Sequence, residues 1–206
     1  MLSNNLLDEM IDKASDSSKT TRLNFILFNE CSLCYIEQNS ADHLMATIIE
    51  FIEHRYSSSY SISIQYLGYE MYNSIGSQNN FIQFMLNHFG QLNAPIRTFL
   101  DENQIRERFV NLNFNQINVI NMRNFYRELL SYEDHDRINH IESFDEWEEL
   151  ENVCQVYCLT ICKKFKSSSS NEFNHLISSY DPQAQLLAKS FRTIQQYDKC
   201  IWWIWY

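Results

Sequence analysis

Residues 143–165 read SFDEWEELENVCQVYCLTICKKF, and this stretch carries the clearest helical pattern in the chain. Ser143 and Glu146 have the Ser-x-x-Glu spacing of a capping box, in which each side chain satisfies a free amide of the first helical turn. Apolar residues then recur on one helical face: Trp147, Leu150, Cys154, Tyr157, Cys158, Ile161 and Cys162. The lysines that follow complement the negative end of a helix dipole. We therefore predict one continuous helix that ends near Phe165.

Several other segments show the same spacing. A regular apolar stripe covers residues 44–56, behind a helix cap at Asn39 or Ser40. Further helices are predicted over residues 81–89 with Gly90 as the C-terminal cap, from Pro95 through residue 112, and over residues 117–132.

Two segments fit either a helix or a strand. Residues 23–36 form a nearly continuous apolar run, and only its length favours a helix. Residues 60–66 alternate apolar and polar side chains as a strand does, yet a helical spacing continues as far as Ile75. We predict a helix in both places.

Glycine and proline are scarce, with three and two residues in a chain of 206. Average usage is roughly 7% and 5%, and β-rich folds rely on glycine wherever a tight turn needs positive φ. The sequence therefore predicts an all-α protein. We expect one domain over residues 1–206, built from about eight to ten helices joined by short loops, with a flexible linker at residues 167–170.

The ends of the chain bear on its location. Residues 1–12 lack the basic and apolar pattern of a secretory signal, and the longest apolar run, residues 201–206, is far short of the roughly 20 residues that a membrane span needs. We expect a cytoplasmic protein with reduced cysteines and no membrane span. The C-terminal tryptophans are expected to dock on the domain's own core, since their exposure would invite aggregation.

The cysteines and histidines do not form a recognisable site. Cys31 and Cys34 make a lone Cys-x-x-Cys, whereas a structural zinc site usually draws on two such pairs. Cys154, Cys158 and Cys162 recur every four residues on one predicted helical face and span too far to close a single tetrahedral site. Free cysteines usually pack as small buried apolar residues, and we expect that role here. The Glu-x-x-His spacing of helical-bundle metal sites is absent around His54 and His140. With no nucleophile elbow or phosphate-binding glycine loop either, we assign no catalytic residue, no metal and no cofactor.

Negative charge is concentrated in one segment, residues 133–151. Its nine carboxylates and the single Arg137 give a formal charge of −8, against −10 for the whole chain. The candidate partner-binding residues are Glu133, Asp134, Asp136, Glu142, Asp145, Glu146, Glu148, Glu149 and Glu151. Such a surface attracts a basic partner and disfavours direct nucleic-acid contact. An equally good interpretation is structural, because acidic residues favour the first turn of any helix.

The sequence therefore favours a non-enzymatic function. The leading hypothesis is an acidic binding protein that occludes a basic protein partner, as an immunity protein or an inhibitor of a nuclease or toxin does. One alternative is a helical enzyme with a carboxylate and histidine cavity for a metal or substrate. Another is an effector or adaptor, which composition does not distinguish from the first.

Overall fold

The computed structural model describes residues 22–74, 76, 79–141 and 145–165, together with the backbone of residues 201–204. These residues form a five-stranded mixed sheet flanked by helices, so the all-α prediction is wrong. The strands are β1 (Arg22–Glu30), β2 (Ser61–Met71), β3 (Gln116–Asn121), β4 (Tyr157–Phe165) and β5 (Ile201–Ile204). The main helices are α1 (Gln38–Tyr56), α2 (Asn80–Gln91), α3 (Glu102–Asn111), α4 (Tyr132–Ile141) and α5 (Trp147–Cys154).

The strand order across the sheet is β3-β4-β2-β1-β5. β1 is parallel to both β2 and β5, whereas β4 is antiparallel to β2 and to β3. Four strands therefore run in one direction, and β1, β2, β3 and β5 all end at the same edge of the sheet. We call this the carboxyl edge.

β1 lies inside the sheet, which explains its continuous apolar pattern. Phe25, Ile26 and Leu27 are consecutive and all buried, as expected where both faces of a strand are covered. A helix over residues 23–36 is therefore wrong. After Glu30 the chain makes only a single 3-10 turn, Leu33–Tyr35, before α1 begins.

β2 shows the alternation that its sequence contains. Ile64, Tyr66 and Gly68 are buried on one face, while Gln65 and Leu67 between them are only partly covered. The helix predicted over residues 60–75 is wrong, because the period of two describes this segment and the longer helical spacing is coincidental.

The stretch 143–165 divides into a helix and a strand. Glu146, not Ser143, precedes the first residue of α5, and it makes no side-chain capping bond; Ser143 lies outside the described residues. α5 ends at Cys154 and the chain reverses into β4. Cys158 and Cys162 are buried in that strand, so the predicted continuous helix is wrong beyond its first half.

Three helices confirm their predictions in position, though their ends differ. α1 contains the buried stripe Met45, Ile49, Ile52 and Tyr56, but Glu37 precedes it and makes no side-chain cap. α2 is capped by Asn79, and Gly90 lies within it rather than at its end. α3 begins at Glu102 behind a capping box of Asp101 and Gln104, so no helix starts at Pro95. Residues 117–132 form β3 and two short helical turns, Met122–Asn124 and Phe125–Leu129, instead of one helix.

The main core lies where α1 and α3 cover one face of the sheet. Phe25 and Ile64 meet Ile49 of α1 and Phe109 of α3 in one buried cluster. A smaller cluster around Ile120 and Ile161 covers the other face. Burying a side chain of this size contributes about 1.5–3 kcal/mol, so these contacts dominate the stability.

Ion pairs hold α1 against its neighbours. The Arg108 side chain, only 9% exposed, places its Nε 2.5 Å from Asp42 Oδ1, which joins α3 to α1. Lys164 of β4 places its Nζ 3.0 Å from Glu53 Oε1. The predicted role of the 163–166 lysines at a helix end is therefore wrong, because Lys164 lies in a strand.

The C-terminal segment pairs with β1, with Phe25 opposite Ile201 and Leu27 opposite Trp203. Only the backbone of this segment is described, so the docking of the tryptophan side chains on the core stays a prediction. The linker at residues 167–170 lies outside the described residues, and the single-domain organisation stays a prediction. No helix in the described part of the chain is long and apolar enough to span a membrane.

Candidate functional site

The candidate site lies at the carboxyl edge of the sheet. In open α/β sheets, ligands bind in the crevice outside the carboxyl ends of parallel strands. Polar and aromatic side chains meet there at the ends of β1 and β2. We call the set Asn29, Glu30, Cys31, Ser32, Tyr35, Tyr69, Glu70 and Tyr157 the edge cluster.

Asn29, which is buried, and Glu70, which is partly buried, form the centre of the edge cluster. The Asn29 amide is 6% exposed and donates to Tyr66 Oη at 3.1 Å and to the Glu70 carboxylate. The same carboxylate accepts the backbone N–H of Leu33 at 2.9 Å, and the Ser32 hydroxyl donates to the side-chain oxygen Oδ1 of Asn29. Buried polar groups satisfied in this way fix a single conformation. These hydrogen bonds of Asn29, Ser32 and Leu33 therefore fix the turn after β1.

Cys31 occupies a strained position at the tip of this turn. Its φ of 46° lies in the left-handed region, which side chains with a β-carbon seldom adopt. Its backbone N–H donates to the Tyr69 carbonyl at 2.8 Å, which continues the pairing of β1 with β2. Strain of this kind persists only where neighbours enforce it, and it is concentrated at functional sites.

A second segment fixes the chain on the far side of the turn. The N–H groups of Arg97 and Thr98 donate to the Cys34 carbonyl at 2.8 and 3.0 Å, and the buried Thr98 hydroxyl donates to the Ile36 carbonyl at 2.6 Å. These bonds position Tyr35, whose side chain is 38% exposed and meets the edge of the Phe89 ring. An aromatic face is thus presented beside the Cys31 turn.

The remaining aromatic residues of the edge cluster lie on β2 and β4, which pair antiparallel. The rings of Tyr69 and Tyr157 stack with centroids 5.1 Å apart and planes 3° from parallel. Burial raises the pKa of both hydroxyls, and each is raised further by a neighbouring ionisable side chain. Both hydroxyls are therefore neutral at physiological pH.

The thiols of the edge cluster are not activated nucleophiles. Burial, and then the charges of Glu70 and Glu30, raise the pKa of Cys31 to about 12. The same burial and Glu70 raise the pKa of Cys34 even further, and its thiol donates to the Cys31 carbonyl at 3.3 Å. Nucleophilic cysteines have lowered pKa values. The exposed carboxylate of Glu30 and the aromatic rings therefore equip the edge cluster for binding.

A pocket of about 350 Å³ lies further along the carboxyl edge, where β2 and β3 end. Its lining includes Tyr72, Glu102, Arg106, Asn121, Arg123 and Gln155. The lining is mainly polar, and two guanidinium groups with one carboxylate supply its charge.

The structure places the predicted acidic residues away from the edge cluster. Glu133, Asp134 and Asp136 lie on α4; Asp145 and Glu146 precede α5; Glu148, Glu149 and Glu151 lie on α5; and Glu142 is outside the described residues. Most of these side chains are exposed. Glu151 differs, because its carboxylate binds Arg123 at 3.3 Å and also accepts from Arg127. The role of the segment in binding a partner stays a prediction.

The sequence-based candidates for metal ligands do not come together. Glu53 binds Lys164, and His140 contacts the backbone and carboxylate of Asp136 on its own helix. No three His, Cys, Asp or Glu side chains in the described ranges lie close enough to hold a metal ion. Cys34, Cys158 and Cys162 are buried as packing residues, which confirms that interpretation for these three.

The sequence interpretation missed Asn29, Glu30 and Glu70. Each stands at the polar end of an apolar run, and that position marks the end of a buried strand once the runs are recognised as strands. With both runs assigned to helices, the signal was lost.

Comparison with known proteins identifies a consistent set of relatives, although no family model matches this chain. The human tRNA wybutosine-synthesizing protein 4 is 32% identical over 64% of this chain and 18% of its own length. The Candida glabrata protein of the same name is 31% identical over 72% of this chain and 21% of its own length. Leucine carboxyl methyltransferase 1 of Yarrowia lipolytica is 28% identical over 70% of this chain and 41% of its own length.

The chain therefore spans about a fifth of the first group of relatives and about two fifths of the second. Among solved structures, phosphoethanolamine N-methyltransferase 2 of Haemonchus contortus matches 69% of this chain and 33% of its own, with 15% identity and a TM-score of 0.38. A structural likeness of that size identifies neither a fold family nor a function.

The relatives overturn the leading functional hypothesis. They are named as a methyltransferase and as a protein of tRNA wybutosine synthesis, and similarity to them extends over about two thirds of this chain or more. The interpretation of the chain as an immunity protein or an inhibitor of a nuclease or toxin is therefore wrong. It depended on an all-helical fold and a net charge, and neither of these identifies a function.

Proposed function

We propose that this chain supplies part of a methyltransferase domain whose edge cluster binds the methyl donor S-adenosylmethionine. The proposal is carried by sequence similarity to proteins named leucine carboxyl methyltransferase 1 and tRNA wybutosine-synthesizing protein 4. The identities to these relatives lie between 25% and 32%. Because the chain covers only part of those relatives, the complete reaction and its acceptor belong to the proposal as well.

The edge cluster suits a ligand of this chemistry. S-adenosylmethionine has a sulfonium cation, ribose hydroxyls and an aromatic base, and it supplies an electrophilic methyl group when bound. A carboxylate at the carboxyl end of a strand is well placed to accept hydrogen bonds from ribose hydroxyls. Aromatic faces attract cations and stack on bases. Glu30 and Tyr35 offer these two kinds of contact, and both are exposed.

Asn29 and Glu70 position Glu30, and the neighbouring Cys31 thiol is unreactive. Asn29 and Glu70 fix the turn that carries Glu30 and Cys31. Because the pKa of Cys31 is about 12, its thiol stays protonated and does not compete for a methyl group. The cluster thus binds and orients a reactive ligand without reacting with it.

The test is calorimetric titration of the full chain with S-adenosylmethionine and, separately, with its neutral product S-adenosylhomocysteine. We expect Glu30→Gln to weaken binding of the cationic donor by about tenfold, since a hydrogen bond to a charged group contributes roughly 1.5–3 kcal/mol. Binding of the neutral product should fall by a similar factor, because it has the same ribose hydroxyls. Glu50→Gln is the matched control, because Glu50 is an exposed carboxylate on α1. Equal affinity of the Glu30→Gln and native chains for both ligands would contradict the proposal.

A basic protein partner is a separate proposal. The exposed carboxylates of α5, Glu148 and Glu149, together with Glu146 before it, form the part of the acidic segment best placed to meet lysine and arginine side chains. Neutralising these three should weaken capture of a basic partner while the thermal midpoint stays unchanged. Glu151 is left intact, because it stabilises this chain's own arginines. A cytoplasmic location accompanies this proposal.

A further inference from the structure

The pocket at the ends of β2 and β3 is lined by residues that do not belong to the edge cluster. The Asn121 side chain fixes the backbone at Arg123, because its carbonyl oxygen accepts the Arg123 backbone N–H at 2.9 Å. The Asn121 amide in turn donates to the Gln155 carbonyl at 2.9 Å, and the Ser74 hydroxyl donates to the same oxygen. Three chain segments therefore meet to fix the position of Arg123 at the pocket wall.

The two arginines of the pocket are held to different degrees. Arg106 is fully engaged: its Nε and Nη2 lie 2.8 and 2.7 Å from Glu102 Oε1, and its Nη1 donates to the Ile117 carbonyl at 2.9 Å. Arg123 contacts Glu151 through Nη2 at 3.3 Å, and its Nε has no hydrogen-bond partner among the described residues. This Nε is buried. An unsatisfied buried donor on a charged group is costly, and an ordered water or an ion commonly satisfies such a group.

The local charge favours an anion even though the chain is acidic. Glu102 neutralises Arg106, but Glu151 is shared between Arg123 and Arg127, which leaves one positive charge in that group of three. The hydrogen bond from Arg127 lowers the pKa of the Glu151 carboxyl, so this carboxylate is ionised at neutral pH. Burial and the nearby Glu102 raise the pKa of Tyr72, which lines the pocket, to about 12, so its hydroxyl stays neutral.

We infer that this pocket binds a small oxyanion, a carboxylate or phosphate group, through the guanidinium of Arg123. Guanidinium groups bind such anions by paired, charge-assisted hydrogen bonds. The volume of about 350 Å³ suits a small polar molecule. The inference is independent of methyl-donor binding, because none of its residues belongs to the edge cluster.

The test is a titration of isotopically labelled full chain with inorganic phosphate and, separately, with succinate, at constant ionic strength. The backbone amide signals of Asn121, Arg123 and Asn124 should shift in a saturable way with at least one of the two anions, and sodium chloride should not reproduce the shift. Phosphate alone, succinate alone or both would each support the site and would distinguish its preferred anion.

Two substitutions should move the affinity in opposite directions. Arg123→Gln should weaken binding by at least about tenfold, as expected for loss of a charge-assisted contact. Glu151→Gln removes the competing carboxylate and should tighten binding by about twofold to fivefold. Because a misfolded chain does not bind more tightly, the second variant separates binding from folding. Arg97→Gln and Glu37→Gln are matched controls, since these residues form an exposed ion pair elsewhere, with Arg97 Nη1 2.7 Å from Glu37 Oε1.

Three results would overturn the inference. They are the absence of saturable shifts at the pocket with either anion through the millimolar range, native affinity in folded Arg123→Gln, and weaker binding in folded Glu151→Gln. Titration of the same variants with S-adenosylmethionine keeps the two proposals distinguishable, because the pocket variants should bind that donor as the native chain does.

Discussion

Replacing Gly68 with alanine tests whether the Tyr66 ring closes over the middle of β2. A β-carbon built at Gly68 would lie 2.5 Å from Tyr66 Cε1 and 2.6 Å from its hydroxyl oxygen. The ring has no free space to retreat, since Tyr66 is 3% exposed and lies 4.7 Å, centroid to centroid, from the Phe109 ring. Alanine at position 68 therefore has to displace Tyr66 and with it the Asn29 hydrogen bond.

The magnitude follows from three effects. Overfilling a closed core costs about 1–3 kcal/mol. Losing the hydrogen bond between Asn29 and Tyr66 costs about 1 kcal/mol. The lower entropy of an unfolded chain that carries alanine offsets about 0.5–1 kcal/mol of this. We expect Gly68→Ala to lower the free energy of unfolding by about 2 kcal/mol.

The assay is urea denaturation followed by circular dichroism, with Gly90→Ala as the matched control. Gly90 lies in α2 and a β-carbon there meets no atom within 4 Å, so this change should stabilise the chain by about 0.5–1 kcal/mol. In a Tyr66→Ala background the cost of Gly68→Ala should largely disappear, because the ring that it displaces is gone. An undiminished cost in that background, or no cost in the native one, would refute the steric explanation.

Two further predictions concern buried charge and alkaline pH. Arg108→Met should lower the free energy of unfolding by about 2 kcal/mol, and Arg97→Met should lower it by less than about 1 kcal/mol. The reason is burial, because the Arg108 side chain is 9% exposed and that of Arg97 is 50% exposed. Equal losses of stability in urea titrations would contradict this prediction. Burial, as the largest cause, raises the pKa values of Cys31, Cys158 and Tyr72 to about 12, from ordinary values of 9 and 10. Stability should therefore stay level below about pH 9 and fall between about pH 9 and 12, where the unfolded chain loses protons that the folded chain retains; denaturation midpoints that stay constant over that range would count against it.

The helices were more predictable than the strands for a physical reason. A helix such as α1 buries one stripe and exposes the rest, so its sequence carries a distinct period. β1 is covered on both faces, and its apolar run therefore carries no period at all. In β4, buried Cys158, Ile161 and Cys162 satisfy a helical spacing as well as that of a strand covered on both faces. Only the pairing partners decide between the two, and they are distant in sequence.

The scarcity of glycine misled the choice of fold class. Parallel strands are joined through helices, so this sheet needs few tight hairpins. Among the described residues, Gly76 has a positive φ of 82°, but Asn93, Asn113 and Cys31 also enter the left-handed region, with φ values of 57°, 60° and 46°. Asparagine tolerates that region better than most residues. A low glycine count therefore excludes fewer folds than it was taken to exclude.

The edge cluster was beyond sequence reasoning because it depends on register. Glu30 and Tyr69 are 39 positions apart and become neighbours only through the parallel pairing of β1 with β2. A shift of that register by one residue would send Glu70 to the opposite face and remove the support of the Cys31 turn. The binding properties of this edge therefore belong to the pairing of two strands, and neither strand carries them alone.

The charge of a segment is a poor guide to what its surface binds. Glu151 belongs to the acidic segment, yet it is committed to Arg123 and Arg127, and that group of three is positive. Glu148 and Glu149, two and three positions earlier on the same helix, are exposed. One short helix thus contributes to an anionic surface and also supplies a carboxylate to Arg123, which lines the pocket. Since charges act over about 8–10 Å at physiological ionic strength, the partner of each carboxylate, and not the charge of the segment, decides which ligand it attracts.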